Sequence, residues 1–362
     1  MINIRKNRLF VLVFTFFSIL NSIFAQNEWQ LNGFRKLDEV NPIIRPDLQQ
    51  EFDCPIQHKK IKWESKNVLN PCAIIRDGKI HLLYRAQDSV GTSRIGLAIS
   101  SDGIHFKKNA NPVLFPDNDA FLKFEWKGGI EDPRIVETQD GGYFLTYTSY
   151  DGKTARLCGA FSKDLLKWEK IGPLFSSEKY LNRWSKSGAI IVKQQNNHLV
   201  AEKINGYYWM YFGDTNLFLA KSSDLRTWEI CEDFENKEPI AVMHPRKGYF
   251  DSRLVEPGPY ALHTHSGILL LYNGSNAGNF GVQYLHPFAY AAGQALFETS
   301  NPHRLIKRSI TPFIWPNKSY ELVGEVNEVC FIEGLVPYQG KWFLYYGTAD
   351  SKIAVASSKI KE

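Results

Sequence analysis

Gly78-Lys-Ile-His-Leu-Leu-Tyr84 is the first of five stretches in which a glycine opens an apolar, aromatic-rich run closed by tyrosine. The others are Gly142-Tyr-Phe-Leu-Thr-Tyr147, Gly206-Tyr-Tyr-Trp-Met-Tyr211, Gly267-Ile-Leu-Leu-Leu-Tyr272 and Gly340-Lys-Trp-Phe-Leu-Tyr-Tyr346. Their glycines are spaced by 64, 64, 61 and 73 residues. That period is too long for a helical solenoid and suits one four-stranded blade with its loops. The expected fold is therefore all-β, a five-bladed β-propeller. The competing reading, a β-sandwich with coincidental turns, does not explain the regular period.

A second element follows the first three tyrosine runs. Ala98-Ile-Ser-Ser-Asp102, Ala160-Phe-Ser-Lys-Asp164 and Ala220-Lys-Ser-Ser-Asp224 each lead to an aromatic: Phe106, Trp168 and Trp228. Serine and aspartate in such a turn bond nearby backbone amides, and the aromatic is expected to pack the outer strand against the next blade. The fourth repeat is degenerate, and the fifth stops at Ala356-Ser-Ser358. A short last blade implies that an N-terminal strand completes it.

Residues 1–25 read as a cleavable signal peptide. Arg5, Lys6 and Arg8 precede an apolar stretch, and Ile23-Phe-Ala25 supplies the small residue before a cut ahead of Gln26. No cysteine follows the apolar run, so the expected product is exported, periplasmic or secreted, without a membrane anchor. Losing those three charges lowers the formal net charge from +5 to +2, which removes any basic footprint for nucleic acid. Residues 26–65 read as an N-terminal arm packing on the propeller, and 66–362 as the catalytic domain. Five cysteines and nine histidines lie scattered without metal-ligand spacing, so neither metal nor cofactor is expected and buried free thiols are.

Just upstream of each tyrosine run a polar residue stands before proline or glycine and an apolar strand. These are Asn70-Pro71, Asp132-Pro133, Ser187-Gly188, Glu256-Pro257 and Glu333-Gly334. A propeller gathers such strand starts at one axial mouth, which collects three carboxylates. Crowded carboxylates push their pKa values apart, and a protonated and an ionised carboxyl together are what glycoside cleavage requires. Calcium binding is the plainer alternative, but Arg85, Arg94 and Arg134 nearby oppose a cation site and suit a polyhydroxylated ligand.

Gly129-Ile-Glu-Asp-Pro-Arg-Ile135, with Asn70-Pro71, Leu83-Tyr-Arg85, Ser101-Asp-Gly103 and Tyr346-Gly-Thr-Ala-Asp350, resembles glycoside hydrolase family 130 over residues 60–358. The resemblance implies a five-bladed propeller acting on β-mannosides, as a phosphorylase or a hydrolase. It implies that Asp132 is the general acid, relaying its proton through a substrate hydroxyl, and that Asn70, Arg85, Arg94 and Asp350 hold the reacting mannose. Arg134, Asn273 and at least one of Asp88 and Asp214 join the substrate-binding set. Family phosphorylases carry Tyr-His-Gly where this chain has Tyr272-Asn273-Gly274, and lack carboxylates at the positions of Glu256 and Glu333. Anionic groups there repel phosphate and suit activation of water, so the resemblance points to the branch similar to β-1,2-mannosidases.

The expectation is an exo-acting, inverting β-mannosidase of manno-oligosaccharides or mannan-derived glycans, with Glu256 or Glu333 as base. The alternatives are a phosphate-dependent phosphorylase, an arabinan-degrading enzyme of the same fold, and a non-catalytic sugar-binding propeller. Trp126 and Trp184, in long connections, are the candidate stacking platforms, and Trp209 reads as core.

Overall fold

The computed structural model describes residues 28–360, and the expected signal peptide lies outside them. The chain divides into a short unit ending at Asn32 and a main body that begins at Gly33. In the first, residues 28–30 make a turn and Asn32 Nδ2 donates to the Gln30 carbonyl at 3.1 Å.

The main body is all-β, with three one-turn helices, among them Leu122–Glu125, as the helical content of the described residues. Its strands form five antiparallel meanders, each holding one tyrosine run as its second strand. In the first, Asn67–Arg76, Lys79–Gln87, Ser93–Ser100 and Lys107–Lys108 pair in sequence. The second consists of Gly129–Glu137, Tyr143–Tyr150, Ala155–Ser162 and Glu169–Pro173. The third pairs Ala189–Gln195, Tyr207–Phe212, Leu217–Ser222 and Glu229–Ile230.

In the fourth, the inner strand is split into Leu254–Pro257 and Ala261–Thr264, before Gly267–Ser275, Tyr290–Phe297 and Leu305–Arg308. The fifth has Cys330–Tyr338, Lys341–Thr348 and Lys352–Lys359. Its fourth strand is Arg35–Lys36, which pairs with Ser357 and Ala356. An N-terminal strand thus completes the short last repeat. The inner strands of the fifth and first meanders pack side by side.

Local chemistry explains the repeat. Asp77-Gly78, Asn205-Gly206 and Gln339-Gly340 all have two successive positive φ values, the backbone of a type I′ hairpin turn. In the second meander it is Gly141, one residue before the start of the quoted run, that adopts positive φ. The serine–aspartate turns recur in one form. Ser100, Ser162 and Ser222 Oγ accept from the amides two and three residues on, and Asp102, Asp164 and Asp224 accept from the next two amides. Phe106, however, meets Tyr345 of the fifth meander at 5.7 Å, the neighbour before its own and not the one after.

The closing tyrosines anchor each meander. Tyr84 donates to Glu64 at 2.9 Å, Tyr147 to Glu125 at 3.2 Å, Tyr272 to Asp251 at 2.6 Å and Tyr346 to Glu321 at 2.9 Å. These four carboxylates are fully buried, and each pairs with a cation from the outermost strand: Lys108, Lys170, Arg308 and Lys36. A buried carboxylate is tolerated only when so paired. The third meander departs, since Tyr211 donates to the Pro302 carbonyl. Trp209 lies in the core cluster as expected. Cys54, Cys72, Cys158, Cys231 and Cys330 are free thiols.

Candidate active site

Three of the five polar residues expected at strand starts lie inside their strands, at bulges, whereas Ser187 stands just before its strand Ala189–Gln195, as expected. In the first meander Leu69 pairs with Arg85 and Pro71 with Tyr84, leaving Asn70 extra. In the second, Glu131 pairs with Thr148 and Arg134 with Thr146, so Asp132-Pro133 face Tyr147 alone. In the fifth, Ile332 pairs with Tyr346 and Gly334 with Tyr345, leaving Glu333 extra. Asn70 and Asp132 take left-handed φ values of 48° and 49°, a conformation asparagine and aspartate accept better than most residues. A bulge re-aims one side chain out of the alternation of its strand. Each lies beside a closing tyrosine whose hydroxyl is anchored to a buried carboxylate. Glu256 reaches the site without a bulge, in register with Asn273.

Asp132 is the hub. Arg85 Nη1 donates to its Oδ1 at 3.0 Å and Lys186 Nζ lies 3.0 Å from its Oδ2. Arg85 also holds Glu131 at 2.6 Å. Burial alone would raise the Asp132 pKa, but Lys186, Arg85 and Arg134 outweigh it and hold the carboxyl well below the usual range. Lys186 stands 3.4 Å from Glu256 as well, and Ser187 Oγ donates to the same Glu256 oxygen. Burial raises the Glu256 pKa, with Lys186 the largest opposing influence.

Glu333 is in the opposite state. Arg134 Nη2 lies 2.8 Å from its Oε1, but Arg134 directs its N–H bonds to the carbonyls of Gly258 and Pro257, each at 2.7 Å. Both Glu333 oxygens are buried without a directed donor. Burial pushes this carboxyl up to about 8, opposed by Arg134 and by the Asn70 side chain, with Asp132 and Glu256 adding to the rise. Asp350, at φ 48°, is raised to about 6 by burial against the pull of Arg85, with Asp132 and Glu256 also acting on it. Asp214 bears on both Lys186 and Glu256. Asn70, Arg85, Asp132, Arg134, Asp214, Glu256, Glu333 and Asp350 thus gather from all five meanders into one electrostatic cluster.

Three other expected substrate contacts are occupied elsewhere. Arg94 Nη1 donates to Asp88 at 3.0 Å and to the Thr92 carbonyl, while Asp88 accepts from the amides of Val90 and Thr92. Asp151, Thr154 and Arg156 repeat this hairpin clamp in the second meander. No bond among the described residues joins Asp88 or Arg94 to the Asp132 cluster. Asn273 is fully buried. It donates to the Ile332 carbonyl at 3.0 Å and accepts from the Ile332 amide at 2.8 Å, which ties the fourth meander to the fifth. Reading the sequence missed Lys186 and Glu131. Their only signal is position: Lys186 directly precedes Ser187-Gly188, and Glu131 precedes Asp132.

The family model described as beta-1,4-mannooligosaccharide phosphorylase, glycoside hydrolase family 130, matches residues 33–362. A 1,2-beta-oligomannan phosphorylase of Thermoanaerobacter sp. (strain X514) is 29% identical, covering 89% of this chain and 96% of its own. A solved structure of a putative glycoside hydrolase from Bacteroides ovatus is 43% identical with a TM-score of 0.89, covering 93% of this chain and all of its own. Another, 43% identical with a TM-score of 0.90 over 92% of this chain and 96% of its own, comes from work stating that the family contains hydrolases targeting beta-1,2 mannosidic linkages in Candida mannan. With its fold, its Glu-Asp-Pro-Arg bulge and a match along its whole main body, the chain belongs to glycoside hydrolase family 130.

Proposed function

We propose that the five meanders are the blades of a five-bladed β-propeller, and that the protein is an inverting, exo-acting hydrolase of β-mannosides, β-1,2-linked chains first among them. One observation carries this reading. The cluster holds six carboxylates (Glu131, Asp132, Asp214, Glu256, Glu333, Asp350) against three cations (Arg85, Arg134, Lys186). Even with Glu333 protonated, a phosphate dianion would enter a site already short of positive charge, whereas water meets no such penalty. The 43% identical structure associated with hydrolases supports the same branch, although the phosphorylase relative matches at 29%.

The environments separate the roles. Ser187 and Lys186 both favour ionised Glu256, which suits it to take a proton from the attacking water. Glu333, raised to about 8 because burial outweighs Arg134 and Asn70, is protonated at neutral pH and orients that water as a donor. As water bonds to the anomeric carbon, the glycosidic bond breaks and the leaving oxygen takes a proton originating on Asp132. Asp132 and Glu256 share the Lys186 ammonium, whereas a direct inverting pair is bound to a separation of roughly 6.5–9.5 Å. Relay through a substrate hydroxyl escapes that limit. Asp132, ionised in the free protein, binds one proton from solution before the step and gives it to the substrate hydroxyl as that hydroxyl passes its own proton to the leaving oxygen.

The test is product analysis on β-1,2- and β-1,4-linked mannosides with phosphate present and absent. Free mannose in phosphate-free buffer is expected. Strict phosphate dependence with mannose 1-phosphate as product would replace this reading by the phosphorylase one. We also propose that the protein acts outside the cytoplasm, from the residue order of positions 1–25. N-terminal sequencing of the cell-fractionated protein checks it, with Gln26 expected as the first residue.

A further inference from the structure

Trp184 is half exposed, at 51%, yet it is not loose. Its Nε1 donates to Asp214 Oδ2 at 2.8 Å, and the Tyr150 ring meets it edge-on with centroids 6.3 Å apart. Asp214 is itself tied to the cluster: the amide of its neighbour Gly213 donates to the Lys186 carbonyl at 2.9 Å, and its charge acts on Lys186 and Glu256. A half-exposed indole with its polar edge satisfied is thereby held beside Asp214 at the rim of the site. Beyond it lie further aromatic side chains, of which Phe175 and Tyr180 are largely buried. Phe175 and Tyr180 line both a narrow cleft beside Trp184, of about 30 Å³, and a groove of about 790 Å³ that also presents Phe121 and Phe124.

We propose that Trp184, fixed by Asp214, is the stacking platform for the leaving-group sugars of an extended glycan, and that Asp214 is a positioning residue acting through it. Stacking on an indole rewards a pyranose for its apolar face, and a pre-oriented ring loses little entropy on binding. The chain leaves the reacting position across Trp184 toward the aromatic groove, so substrates of several linked sugars bind better than a single one. This rests on the mannoside reading above, and it makes the occupant of the rim a neutral polyhydroxylated chain continuous with the reacting sugar.

The experiment measures kcat and KM on β-1,2-mannotetraose, and the inhibition constant of free mannose, for W184A, D214A and D214N. W184A is expected to raise KM for the tetrasaccharide roughly tenfold, the equivalent of one stacked ring, with the mannose inhibition constant unchanged, and D214A to raise KM at least as far. D214N keeps an oxygen that accepts from the indole and is expected to recover most of the loss. An unchanged KM, or a mannose constant that moves as far as KM, overturns the platform and leaves the hydrolytic reading standing. If the tetrasaccharide is not cleaved without phosphate, its titration into D132N and D132N/W184A decides. Roughly tenfold weaker binding in the double variant upholds the platform while hydrolysis falls; equal or absent binding removes both.

Discussion

Lys186 Nζ stands 3.0 Å from Asp132 Oδ2, so the carboxyl assigned as proton donor is clamped between an ammonium and the Arg85 guanidinium in the free protein. The same ammonium reaches Glu256, and one side chain therefore sets the protonation of both reaction partners. Replacing Lys186 by Met removes a cation that lowers both carboxyls. Both limbs of the pH profile of kcat/KM are expected to move to higher pH, with kcat reduced at least tenfold. A full pH–rate profile checks this, and unmoved limbs would refute the clamp.

Glu256→Gln is expected to lower kcat by roughly two orders of magnitude or more, the usual scale for a lost general base. Glu333→Gln is expected to cost less than about tenfold near pH 6.5, because an amide imitates a protonated carboxyl. The reverse ranking would make Glu333 the base.

Stability should depend on pH through Glu333. Its folded-state pKa, about 8, exceeds the ordinary value of 4.5, so its contribution is fully present below pH 4.5 and is lost as pH rises through 8. Asp350, raised to about 6, acts with the same sign in a lower window. Wild-type stability is expected to fall between pH 5 and pH 8 by at most roughly 1.4 kcal/mol per pH unit for each such group. Glu333→Gln should flatten the part above pH 6, as denaturant titrations at a series of pH values would read.

The N-terminal strand carries an ion pair that the fifth meander needs. Lys36 bonds Glu321 at 2.7 Å, the Trp315 carbonyl at 2.7 Å and Asn317 at 2.9 Å. Lys36→Met leaves the fully buried Glu321 without its cation and is expected to cost about 3–5 kcal/mol. Tyr346→Phe removes one hydrogen bond to the same carboxylate and should cost about 1–3 kcal/mol. Equilibrium unfolding of both variants checks the ranking.

The repeat was legible because turn chemistry is local: Asp-Gly and Asn-Gly turns, serine–aspartate turns and closing tyrosines need only neighbours to act. Asp132, Glu256 and Glu333 were found by the same means, as polar residues beside proline or glycine. Asp88, Arg94 and Asn273 look equally suited on paper, and the structure gives their polar atoms to a hairpin clamp and to a strand junction. Lys186 went unnoticed because a lysine before a serine carries no pattern, and only proximity to Asp132 gives it meaning.

Residue order alone thus determined an all-β chain of five repeats and the carboxylates that converge within it, since each repeat encodes its own turns and apolar strands. The tertiary structure decided which carboxyls burial pushes up and which cations pull down. Those properties arise from burial and from charges brought within a few ångströms by different meanders, and no stretch of neighbouring residues contains that information.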